Sequence, residues 1–136
     1  MGSPGAYQLI TISANANEKF IKALGGFARG LGMSQVVPSP WNAGVPVVKA
    51  YQDAMGKIGK NTYSPTSLEG YLCGRVLIEG LVRAPPPITR EAFVQALERL
   101  GTLDLGGYEV RYSTRNHLGA TFVGLSVIGG NGKSIY

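Results

Sequence analysis

Catalytic chemistry has few places to reside in this sequence. His117 is the single histidine and Cys73 the single cysteine. A zinc site needs several imidazole or thiolate ligands, so neither a histidine pair nor a cysteine cluster can form. No serine sits in a G-x-S-x-G turn of the kind that presents a nucleophile, and a base needs an orienting partner, so His117 reads as a surface or turn residue. Gly132-Lys133-Ser134 echoes the end of a phosphate-binding loop. The earlier glycine of such a loop would fall at position 127, which is Val127, and only Ile135 and Tyr136 follow. Such a loop works by aiming helix N-terminal amides at phosphate, so these residues read instead as a hairpin turn. Glu69, Glu79 and Glu98 fall at helix-surface positions and make no acid/base pair. The expectation is a protein that is not an enzyme, with no metal and no cofactor.

Binding is the remaining class of function, and composition narrows it. The 136 residues carry 13 Lys and Arg against 8 Asp and Glu, a formal net charge of +5. Recognition of nucleic acid requires basic residues gathered on one stripe; here they are scattered from Lys19 to Lys133. No apolar run approaches the roughly 20 residues a membrane-spanning helix needs. Cys73 lies among apolar residues and reads as a small buried side chain. Met1 to Gly5 lacks the basic start and apolar stretch of an export leader.

The elements that would position a binding site follow from periodicity. Tyr7 to Ile12 reads as a buried strand, ended by polar Ser13 to Asn17. Phe20, Ile21, Leu24, Phe27 and Ala28 recur at helical spacing through Arg29, and Gly30 and Gly32 stop that helix. Met33 to Val37 is a strand, which completes a strand–helix–strand unit of parallel α/β type. Pro46 suits a first helical turn, with Val47, Val48, Tyr51, Ala54 and Met55 on its apolar face. Polar Lys60 to Pro65 reads as a crossing between lobes.

A long helix follows, capped by Thr66 or Ser67. Leu68, Leu72, Val76 and Gly80 form one stripe, which Cys73, Leu77 and Leu81 widen. Pro85 to Pro87 end it. Thr89 caps a further helix carrying Ala92, Phe93, Ala96, Leu97 and Leu100. Tyr108 to Tyr112 and Thr121 to Ile128 are strands, and Gly129 to Gly132 a turn from which Ser134 to Tyr136 return antiparallel.

Four segments, in order, resemble the type I periplasmic solute-binding proteins of the branched-chain amino acid ABC-transporter kind. They are Gly32 to Trp41 with Val45 to Val48 and Tyr51-Gln52, Tyr63 to Tyr71 running into Arg75 to Leu81, Asp104 to Tyr108 with Arg111 to Ser113, and His117 to Gly119 with Phe122 to Leu125 and Gly132-Lys133. The resemblance covers nearly the whole chain but only the C-terminal part of such a protein. It implies a partial, Rossmann-like periplasmic-binding-protein fold with incomplete lobes. Residues 1–60 would belong to the second lobe. Residues 61–136 would hold the crossing, first-lobe helices and returning strands.

The function so implied is capture of an amino acid or small organic acid by cleft closure and delivery to a membrane permease, at a periplasmic or extracellular location. A sensing module of the same fold and a self-associating structural domain are the rival readings. Ligand contacts are expected in two places: Ser13, Ala14 and Asn15 after the first strand, and Tyr63, Ser67, Leu68 and Glu69 at the crossing. In this family a carboxylate in the first of these loops meets the ligand's ammonium. Asn15 stands at that point, and an amide cannot balance a cation in the same way. Helix 66–83 is expected to have a broad apolar face that the chain leaves bare, open to a second copy, a domain swap or a missing half.

Overall fold

The computed structural model describes residues 8–14 and 18–136. These divide into two compact units, one of Met1–Val36 with Val123–Tyr136 and the other of Val37–Phe122.

The first unit is built on a four-stranded sheet in the order β1-β2-β6-β7, from β1 (Ile10–Ile12), β2 (Gly32–Gln35), β6 (Gly124–Ile128) and β7 (Ser134–Ile135). β1 and β2 run parallel, joined by α1 (Glu18–Leu24) and a 3₁₀ turn at Gly25–Ala28. β6 and β7 each pair antiparallel with the preceding neighbour. Ala28, Leu31, Met33 and Ile128 form the buried cluster, with Ile21 and Leu24 packed against it. Among the described residues these side chains cover one face of the sheet.

The helix expected to run through Arg29 ends earlier, because Gly25 takes φ +54°. That left-handed value suits glycine and terminates an α-helix. Phe27, expected on the apolar face, is consequently 89% exposed.

The second unit holds α2 (Pro46–Lys57), α3 (Pro65–Arg83), α4 (Arg90–Arg99) and a three-stranded antiparallel sheet, β3-β4-β5, from Thr102–Asp104, Glu109–Ser113 and Asn116–Gly119. β3 and β5 were not legible as strands, being only three and four residues long. Val37, Val47, Val48, Tyr51, Leu68, Leu72, Leu105, Tyr108 and Val110 make its core. Full burial of each large aliphatic or aromatic side chain there stabilises the fold by about 1.5–3 kcal/mol. α2 contributes three of these residues, so it belongs with α3 and not with the strand–helix–strand unit before it.

The start of α3 differs from expectation. Ser64 is the N-cap, and Ser67 stands at the third helical position. Pro65 accounts for the difference: its fixed φ and missing N–H suit the first helical position, so the cap lies one residue before it. The Ser64 hydroxyl accepts from the Ser67 amide at 3.2 Å, while Ser67 Oγ accepts from the Ser64 amide at 3.3 Å.

Further along α3, Leu68, Leu72 and Gly80 are buried, whereas Leu77, Ile78, Leu81 and Val82 are exposed. Cys73 is exposed too, contrary to its expected burial, because its side chain falls on that uncovered face. The expectation of a bare apolar stripe on this helix is met at those positions. Among the described residues no helix is long and apolar enough to cross a membrane.

Candidate functional site

In the first unit, Ser13 continues the β1–β2 pairing by donating its amide to Ser34 O at 3.0 Å. It is half-buried at the C-terminal end of β1, and Ala14 beyond it is exposed. Ends of parallel strands are where open α/β sheets commonly present backbone and loop groups to a ligand. Asn15 lies outside the described residues.

In the second unit, the start of α3 gathers three tyrosines and two serines. Tyr51, fully buried on α2, reaches the Ser67 hydroxyl in a short hydrogen bond, and its ring meets Tyr63 edge-on at 5.7 Å and Tyr71 at 5.8 Å. Arg75 Nη1 donates to Tyr71 OH at 3.2 Å, with the guanidinium 5.9 Å from the ring centroid. From sequence Tyr51 belongs to an apolar helix face and, with Gln52, to a segment carrying the family resemblance, but not to the expected site. The signal available was the residue type, since a buried tyrosine hydroxyl requires a polar partner.

The four expected residues there take different positions. Ser67 Oγ serves Tyr51 OH, the Ser64 amide, and the Ser64 carbonyl to which it donates at 3.1 Å. One donor and two lone pairs are thereby engaged. Leu68 is at 0% exposure, in the core. Tyr63 is half-buried and Glu69 is exposed, so these two retain surface. Burial raises the Tyr108 phenol above its ordinary pKa of 10.0, and the Glu69 charge adds to it, ahead of Cys73 and Tyr112. Glu69 thus acts on the phenol of the residue that precedes β4.

His117 is exposed on β5 and its Nε2 lies 2.9 Å from Glu98 Oε1. A cavity of about 120 Å³ opens between the end of α3 and the length of α4, lined by Arg83, Pro85, Ala92, Gln95 and Arg99 among others. Both arginines stand in the last turns of their helices, where a cation complements the helix dipole.

The family model for periplasmic binding proteins matches residues 2–130. The chain belongs to that family. Solved structures agree with the assignment. A possible leucine/isoleucine/valine-binding protein from Rhodopirellula baltica SH 1 is 30% identical over 95% of this chain, with a TM-score of 0.83. A substrate-binding periplasmic protein from Ralstonia solanacearum is 32% identical over 96%, with a TM-score of 0.82. An extracellular ligand-binding receptor from Verminephrobacter eiseniae ef01-2 is 29% identical over 94%, with a TM-score of 0.76. The chain spans only 36–38% of the length of these three chains. No curated protein matches it.

The segments that carried the resemblance have physical work in this periplasmic binding protein. Asp104 Oδ1 accepts the amides of Gly106 and Gly107 at 2.8 and 2.7 Å. Gly106, at φ +104°, in turn accepts the Val47 amide at 2.9 Å, which satisfies a free donor in the first turn of α2. A β-carbon on Gly106 would lie 3.1 Å from that same amide nitrogen. The Asp-Leu-Gly-Gly sequence therefore docks a turn against a helix start. The two amide bonds hold the Asp104 carboxyl below its ordinary value.

Proposed function

We propose that this segment is part of a solute-binding protein that captures a small amino acid or organic acid and delivers it to the membrane permease of an ABC transporter, in the periplasm or outside the cell. The observation carrying this reading is the family match over residues 2–130, together with the 29–32% identity to three ligand-binding relatives. The mechanism is capture by hinge closure in the whole protein, with no bond made or broken.

Residues 1–36 and 123–136 belong in this reading to the second lobe of such a protein, and residues 37–122 to the first. Ser13, Ala14 and Asn15 in the one, and Tyr63, Ser67, Leu68 and Glu69 in the other, are the residues proposed to contact the solute. Ser67 is already engaged in the helix cap and Leu68 lies in the core, so Tyr63 and Glu69 are the two with surface left to offer. With Asn15 where a carboxylate would pair with an ammonium, a carboxylate-bearing solute without a free amine fits as well as an α-amino acid. The bare stripe of α3 supports a second reading, association of two copies by simple contact or by a domain swap.

A thermal-shift panel of aliphatic amino acids and short carboxylates on the whole protein tests the main reading. A saturable rise in Tm, lost in Tyr63→Ala and Glu69→Ala, is expected, since a ligand at 100 times its Kd stabilises by about 2.7 kcal/mol. These 136 residues alone should show no such rise, because each face of a cleft needs the other. The absence of any saturable shift in the whole protein would overturn the reading. Turnover of a metabolite that vanishes in His117→Ala would replace the reading with an enzymatic one.

A further inference from the structure

The covered face of the first unit's sheet carries polar side chains at one end. Register sets Thr11 opposite Met33, Met33 opposite Ser126, and Gln35 opposite Gly124. Side chains alternate between faces along a strand, so Gln35 shares the face of Met33, Ser126 and Ile128, all of them buried. The Ser13 amide bonds Ser34 O at 3.0 Å, which continues the parallel pairing of β1 with β2 by one step. Ser13 therefore stands beside Gln35, on the same face.

Gln35 is 2% exposed, and its amide is only half satisfied. Nε2 donates to Ser126 Oγ on β6 at 2.9 Å, whereas Oε1 is buried with no hydrogen-bond partner among the described residues. Turning the amide over would leave its other end unmet instead, since the Ser126 hydroxyl can serve either. A buried amide end without a partner is costly, and each such group calls for a reason. The oxygen is already enclosed by this chain, so neither a solute nor a segment outside these residues reaches it directly. The two ends of an amide point apart. With Nε2 turned toward β6, Oε1 is turned toward the β1 side, where Ser13 stands.

We propose that Gln35 is a positioning residue for solute capture: its free amide end takes the Ser13 hydroxyl when a solute is held, and so fixes the loop that begins there. This rests on the reading of Ser13 as a solute contact. A serine hydroxyl swings between three staggered directions at χ1, so Ser13 takes up the bond without any change in strand pairing. A bond made only with the solute in place adds to affinity, because a ligand gains from what differs between the two states. Gln35 touches no solute itself and acts through Ser13 alone.

The test is calorimetric titration of the whole protein with leucine and with 4-methylpentanoate, the same carbon chain without the amine. Gln35→Leu should weaken binding about tenfold, the scale of one hydrogen bond. Ser13→Ala should weaken it at least as much. The double variant should bind no more weakly than Ser13→Ala alone, since both changes remove the same bond. Thr11→Val, one row back on the same face, should keep the wild-type affinity. Circular dichroism checks folding, and Gln35→Met, closer in shape, replaces Gln35→Leu if that variant does not fold. Losses that add in the double variant, or wild-type affinity in the Gln35 variant, overturn the proposal while the solute reading stands. So does a loss in Thr11→Val that is not additive with the Gln35 change. Binding of neither probe by the wild-type protein takes down the solute reading and this proposal with it.

Discussion

Gly80 of α3 faces the Phe93 ring of α4, and a β-carbon there would lie 2.5 Å from Phe93 Cε2 and 2.9 Å from Leu97 Cδ2. The two helices approach this closely only because the position carries no side chain. Glycine within a helix costs about 1 kcal/mol relative to alanine, so packing must supply the reason for it.

Gly74, on the same helix, has nothing within 4 Å of its β-carbon position. Gly74→Ala should stabilise the protein by up to about 1 kcal/mol. Gly80→Ala gains the same propensity but overpacks the crossing, at a cost of about 1–3 kcal/mol. Urea midpoints should therefore rank Gly74→Ala above Gly80→Ala by about that difference. Equal midpoints would mean that Phe93 yields freely.

Removal of the Ser64 cap hydroxyl leaves the Ser67 amide without its partner. Ser64→Ala should lower stability by about 0.5–2 kcal/mol. Ser67→Ala should cost more, because the buried Tyr51 hydroxyl loses its bond as well. In a Tyr51→Phe background the extra loss at Ser67 should shrink, and a double-mutant cycle by chemical denaturation measures it.

Gln35 Nε2 donates to Ser126 Oγ at 2.9 Å between β2 and β6, with both side chains buried. Ser126→Ala strands the amide and should destabilise by about 1–3 kcal/mol. Replacing both at once, Gln35→Leu with Ser126→Ala, should cost less than the sum of the single changes. Thermal melts of the three variants decide it.

Two pH limits follow from the shifted groups. Asp104 is held below its ordinary value of 3.8 by the amides of Gly106 and Gly107. The unfolded chain then takes up that proton at higher pH than the folded one. The stabilisation is complete above 3.8 and is lost as pH falls through the folded pKa. Asp104→Asn should flatten the acid limb of the stability–pH curve.

Tyr108 and Tyr112 are raised chiefly by burial, and burial pushes Tyr136 up to about 12. Stability from these phenols is complete below pH 10 and falls as pH rises through their folded values. Glu69→Gln should bring the Tyr108 phenolate transition down toward 10.0, as read by ultraviolet absorbance, because the Glu69 charge is part of its cause.

Periodicity and turn chemistry alone were enough to place β1, β2, the helices and the antiparallel return of β7. Each rests on local rules: Pro46 at a helix start, Thr89 as a cap, Gly129 to Gly132 as a turn. The family, too, was legible, since residues such as Asp104, Gly106 and Gly107 have fixed stereochemical duties at fixed spacing. Tertiary structure decided the rest. Cys73 and Leu77 have the composition of core residues, yet their exposure depends on which neighbouring layer is present, and sequence spacing reports a face without reporting its cover. Likewise, Ile10 and Leu125 are 115 residues apart in the chain and come to share a face only through the register of β2 between them. Long-range pairing of that kind carries no local signal, because a slip of one residue would have turned the same side chains to the opposite side.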